Sequence, residues 1–115
     1  MSGSINAMTI IFLAEIEANR LGHRYLGTEH LLLTALGLAG FSDIRAEVLS
    51  RIDSLVGTGT PTTGKFQKLT PLAFEIFMKD FTSIFDLIEI IAEDTHCTGG
   101  IIVNQLLSEA EDSTD

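Results

Sequence analysis

The sequence predicts an all-α fold. Two observations carry that expectation: apolar residues recur at intervals of three and four along most of the chain, and no segment shows the strict alternation of a half-buried strand. Helix punctuation agrees, with Gly22 closing one periodic run, Thr28 and Ser42 opening others, and Thr70-Pro71 opening a fourth. At 115 residues the chain has room for one domain, and its 45% apolar content is enough to build a core.

The elements follow in order. Met1–Ala7 reads as small polar padding, an expression remnant with Met8 as the natural start, and stays outside the fold. From Thr9 to about Leu21, Ile10, Leu13, Ala14, Ala18 and Leu21 form one helical stripe, and Gly22 ends it. Thr28 is the expected N-cap of a second helix, about 29–39, with the Glu29 carboxylate at its positive end. Its run of leucines and alanines is apolar nearly all round, which makes it the central, buried helix. A third helix spans about 43–56, and a polar Gly/Thr-rich connector follows from Gly57 to Gln67. Pro71 then opens what reads as one long helix to about Asp94. Phe74, Phe77, Phe81, Ile84, Phe85, Ile88 and Ile91 form its core stripe, with Glu75, Lys79, Thr82, Asp86, Glu89 and Glu93 opposite. His96–Gly100 breaks the pattern, a last helix covers about 101–110, and the acidic tail 111–115 frays.

Charge narrows the function classes. Seven basic and sixteen acidic residues leave a net charge of −9, which opposes nucleic-acid phosphates. Residues 1–68 balance at six against six, so the whole excess lies in 69–115, where Lys79 faces ten carboxylates. That half is either a solvated face that aids solubility or an acidic docking face, for which Asp86, Glu89 and Glu93 are the candidates. The single Cys97 excludes an internal disulfide and a cysteine-rich zinc site. No apolar run reaches the ~18 residues of a membrane span. A soluble intracellular domain without membrane contact is the expectation.

Three strings invite chemistry. Gly59–Phe66 matches G-x-x-x-x-G-K, but Phe66 stands where a P-loop needs the Ser or Thr hydroxyl that ligates magnesium, and a helix rather than a strand precedes it. His23, Glu29 and His30 surround one turn, yet no further ligand stands at a recognisable spacing, so packing of both histidines is favoured and no metal is expected. His96 and Cys97 are adjacent, which turns their side chains apart rather than into a nucleophile pair. No catalytic residue and no cofactor are expected.

The most specific string is Leu21-Gly-His-Arg-Tyr-Leu-Gly-Thr-Glu-His-Leu-Leu-Leu33. It resembles the repeat of the Clp amino-terminal domain, carried at the front of Clp-family AAA+ unfoldases, whose pattern is L-G-H-x-Y-[IVL]-G-T-E-H-[IL]-L-L. The resemblance implies a helical bundle of two pseudo-repeats with about five to eight helices over residues 8–110. Repeat one would cover about 8–56, a linker 57–69, and a degenerate repeat two 70–110, in which Gly100-Ile-Ile-Val-Asn-Gln-Leu-Leu107 replaces the second G-T-E-H-L-L.

It also implies a non-catalytic module that docks adaptors or client proteins onto a Clp ATPase, in the cytoplasm or the plastid stroma. In some Gram-positive relatives the Glu of this motif helps bind phosphorylated arginine, which makes Glu29, with Thr28 and His30, the candidate client site. Against that stands a simpler role for Glu29 as a helix-start carboxylate. The chain is either an excised domain or a stand-alone adaptor, regulator or accessory subunit, and the degenerate repeat and acidic tail favour the latter. The alternative function is a small acidic inhibitor or immunity-type protein that neutralises a basic effector.

Overall fold

A computed structural model describes residues 6–64, 67–79 and 81–112, with Glu111 and Asp112 described by backbone alone. Six helices follow one another: α1 (Ala7–Arg20), α2 (Thr28–Ala39), α3 (Ser42–Leu55), α4 (Pro71–Phe77), α5 (Ile84–Glu93) and α6 (Thr98–Asp112). Among the described residues there is no strand, only one isolated parallel bridge between Leu26 and Leu69. The all-α fold class is therefore present, with a helix count inside the expected range.

α2 is the axis of the bundle and packs against each of the other five helices. A helix with one polar face cannot take that place. α2 can, because Leu31, Leu32, Leu33, Ala35 and Leu36 are buried on all its sides. Ile10 and Ala14 of α1, Val48 and Ile52 of α3, Leu87 and Ile91 of α5, and Ile102 of α6 close on it as one core.

Four boundaries differ from the sequence reading. Ala7 belongs to α1, because the Asn6 side chain caps that helix by accepting the Met8 N–H at 2.8 Å. Met1–Ile5 lie outside the described residues. The second difference is the long helix expected over 70–94, which is two helices. The Ser83 hydroxyl accepts the Asp86 N–H at 3.1 Å, and the Asp86 carboxylate accepts the Thr82 N–H and hydroxyl at 3.1 and 2.7 Å. This reciprocal capping starts a new helix at Ile84 and holds the Asp86 carboxyl below its ordinary range.

With the helix broken, the phenylalanine stripe has no common register. Phe77 and Phe81 remain partly covered, with ring centroids 6.2 Å apart, but Phe74 and Phe85 are exposed rather than core. Thirdly, α6 begins at Thr98 rather than Ile101, so Gly99 and Gly100 lie inside its first turn. Finally, Glu111 and Asp112 continue that helix, while 113–115 lie outside the described residues.

The connector between α3 and α4 is fastened to the first half. Asn19 at the end of α1 accepts the Thr62 hydroxyl at 3.0 Å and the Gln67 amide at 2.7 Å through its side chain, and the Thr62 N–H at 2.9 Å through its carbonyl. Gly22, at φ +72°, lets the chain pass so near Gly59 that a Cβ would lie 2.3 Å from the Gly59 carbonyl carbon. The Gly59–Gly64 stretch therefore follows α3 and lies across α1, with no strand before it. Lys65 and Phe66 lie outside the described residues.

Candidate functional site

The turn between α1 and α2 brings Thr28, Glu29 and His30 together, but all three are buried. The N-cap of α2 is Gly27, one residue earlier than expected, because His30 supplies the capping group. Its Nδ1 accepts the Gly27 N–H at 2.8 Å. That bond fixes the protons of everything beyond it. With Nδ1 accepting, His30 carries its hydrogen on Nε2 and donates to His23 Nδ1, also at 2.8 Å. His23 then carries its hydrogen on Nε2 and donates to the Gly57 carbonyl at 2.7 Å. The two imidazoles form a relay of one polarity, both neutral, tying the α2 cap to the end of α3. Burial, and then the neighbouring His23, push the His30 pKa down to about 3.

Tyr25 stacks on His23 with centroids 5.2 Å apart and donates its hydroxyl to Glu29 Oε2 at 2.7 Å. Burial, followed by the Glu29 hydrogen bond and charge, pushes the phenol pKa upward. Glu29 thus does lie at the helix start, as its simpler reading requires, with its carboxylate turned to an internal donor.

His23, Glu29 and His30 can each offer a metal-ligand atom, and these atoms lie within 4.8 Å of one another. The donor set does not fit an ion. A metal on His30 Nε2 would leave the ring's remaining hydrogen on Nδ1, where it would face the Gly27 N–H head-on.

Thr28 has a different task from the one expected. Its hydroxyl accepts the Gly99 N–H at 2.9 Å, so the first turn of α2 caps the first turn of α6. Thr28→Val keeps the shape and leaves that buried N–H without an acceptor. A loss of about 1–3 kcal/mol is expected in urea unfolding, with an unchanged m-value.

Counting from the first helical residue, Gly99 and Gly100 of α6 hold the positions that Glu29 and His30 hold in α2. Cys97 therefore matches Gly27, and the expected register with Gly100 in that place is shifted. At these matched positions α6 has glycines, so it carries neither that carboxylate nor that imidazole. Cys97 is buried, donating its thiol to the Asp94 carbonyl at 3.2 Å and accepting the Gly100 N–H at 3.3 Å, while the neighbouring His96 side chain is exposed.

An apolar concavity lies elsewhere, between the two halves. A groove of about 590 Å³ is floored by Leu32, Leu36 and Val48 and walled by Ile88, Val103 and Leu106. Phe41 and Phe85 meet edge to face at its mouth, 6.1 Å between centroids, and both are exposed. Sequence reasoning placed Phe85 in the core and gave Phe41 no role. The missed signal was an excess of apolar residues in α5, where seven of ten residues are apolar, more than one core-facing stripe can bury.

No protein-family model matches the chain, and no curated protein is found similar to it.

The acidic candidates divide. Asp86 is half-buried and engaged by Thr82, Glu89 is exposed on the groove wall, and Glu93 is exposed beside Lys79 and His96 in a shallow recess. Two other carboxylates are occupied within the fold: Glu17 by Arg45 and Arg20, and Glu109 by Arg51, which joins α3 to α6. Among the described residues no helix is long and apolar enough to cross a membrane.

Proposed function

We propose that this domain is a non-catalytic protein-docking module of a Clp-type chaperone–protease system, acting on adaptors or clients. The observation that carries the reading is the open apolar groove between the two halves, with Phe41, Ile44, Phe85 and Leu107 exposed around it. Exposed aromatic and leucine side chains gathered along one concavity are the usual mark of a protein-binding surface. The Leu21–Leu33 resemblance adds the machine. In this reading Thr28, Glu29 and His30 shape the turn from inside, and docking falls on the groove.

Immobilised domain in a native lysate should recover a Clp ATPase, its protease or their clients. Phe85→Ser and Leu107→Ser, both changes at exposed positions, should lose them while keeping the helical spectrum. Recovery unaffected by either change, or ATP hydrolysis by the purified chain, overturns the reading. Recovery of a single basic protein that washes off with salt would favour the acidic inhibitor instead.

A further inference from the structure

The polar residues lining the groove are few and of one kind. Among its fourteen lining residues, twelve are apolar and the other two are Glu47 on α3 and Glu89 on α5. Among the described residues, no lysine or arginine lines it. α3 and α5 do not pack on each other, so the two carboxylates stand on helices that flank the groove from separate sides. Neither forms a salt bridge with another described residue. Arg51 lies one turn beyond Glu47 and feels its charge. Its guanidinium, however, is held by Glu109 at 2.6 Å and Gln105 at 3.1 Å. Arg45 is likewise engaged by Glu17.

An apolar trough bordered on both sides by carboxylates that form no salt bridge among the described residues selects its occupant by charge. An acidic or neutral apolar segment would leave both carboxylates unpaired beside a desolvated surface, which is unfavourable. A segment with basic residues flanking its apolar face would pair them. The backbone mode is also constrained. Among the described residues the only β-type pairing is the Leu26–Leu69 bridge, so no sheet edge lies at the groove to template an added strand. Walls and floor are helical, which suits helix-in-groove docking with anchors at i, i+3, i+4 and i+7.

We infer that the groove takes a basic amphipathic helix, its apolar stripe seated on Leu32, Leu36 and Val48 and its lysines or arginines paired with Glu47 and Glu89. This inference rests on the docking reading above and adds the chemistry of the partner.

The test uses two fluorescein-labelled amphipathic peptides of about 15 residues, with the same leucine and phenylalanine anchors. One carries lysine at the flanking positions and the other glutamate. Fluorescence anisotropy on the whole chain at moderate salt should show the lysine peptide binding at least about tenfold more tightly. The Glu47→Lys/Glu89→Lys double variant should reverse that order, since both positions are exposed and neither side chain forms a salt bridge with another described residue. Phe85→Ser, and Ala92→Trp, which fills the groove, should weaken the lysine peptide in wild type. Equal binding of both peptides, lost on Phe85→Ser, overturns the charge selection and leaves docking intact. Binding of neither, or binding indifferent to Phe85→Ser and Ala92→Trp, overturns the docking reading itself. Sedimentation showing a dimer that Phe85→Ser dissolves, with no peptide bound, would assign the groove to a second copy and overturn the inference.

Discussion

Replacing Gly100 by alanine should unfold the domain or lower its Tm by more than about 10 °C, although it adds a single methyl group. A Cβ at this position would sit 1.8 Å from the Asp94 carbonyl oxygen and 2.6 Å from that of Ile91. Both obstacles are backbone at the C-terminal end of α5, so no rotamer change relieves them. Either α5 loses its last turn or α6 moves away, taking the buried Ile102 and the half-buried Val103 and Leu106 with it. Overpacking a core commonly costs about 1–3 kcal/mol. Here the clash is with rigid main chain, and a loss above about 3 kcal/mol is expected, at roughly 4 °C per kcal/mol for a domain of this size.

Gly37→Ala is the matched control. It lies in the exposed part of α2, where a new Cβ would meet only the Arg45 side chain at 3.7 Å. That substitution should stabilise by about 0.5–1 kcal/mol, through helix propensity and a less flexible unfolded chain. Circular-dichroism melts of the two variants should therefore move in opposite directions. A Gly100→Ala Tm within a few degrees of wild type would mean that α5 and α6 do not meet as described.

Gly100 also shows why parts of the fold were legible in the sequence and parts were not. α2 was readable because its evidence is local and redundant: an acidic first turn, a nearly unbroken apolar run and a glycine at its end. The segment His96–Gly100 was read as a break in the helical pattern, and glycine does weaken helices on average. Its actual reason is tertiary, the approach of α5 and α2 to the first turn of α6, with Thr28 carbonyl atoms 3.0–3.1 Å from a Cβ built at Gly99. A local pattern holds no record of that neighbour.

The split of the long helix lies between these cases. Thr82-Ser83-Ile-Phe-Asp86 has the form of a capping box, but the apolar spacing continues in register across it, and the segment reads as one helix by periodicity. Once the helix is broken there, Phe85 no longer shares a face with Phe74, and it reaches the groove mouth opposite Phe41. The feature that best supports a function thus depends on a helix boundary that periodicity alone conceals. The His23–His30 pair was legible as packing but not as a relay, because its third partner, the Gly57 carbonyl, is 34 residues away.

The relay makes stability depend on pH. Gly27 N–H, His30, His23 and the Gly57 carbonyl use every imidazole nitrogen in one direction, so an added proton on either ring has to point at an existing hydrogen. His30 holds its neutral form in the folded state down to about pH 3, against 6.5 for an unperturbed histidine. Between those values the unfolded chain binds more protons than the folded one. The contribution of His30 is thus complete above pH 6.5 and is lost progressively as the pH falls toward 3.

At pH 4.5, two pH units below the unperturbed value, that loss is about 3 kcal/mol, at 1.36 kcal/mol per unit. This is a large share of the roughly 5–15 kcal/mol that holds a domain of this size together. His30→Gln separates this effect from the general protonation of carboxylates. A glutamine at this helix position can still accept the Gly27 N–H, and it does not titrate. The variant should be about 1–2 kcal/mol less stable at pH 7, where the bond to His23 is weakened. Its stability should fall less steeply between pH 6.5 and 4.5, so that the two urea-unfolding profiles converge or cross. Parallel profiles across that window would show that protonation of His30 is not what acid works against.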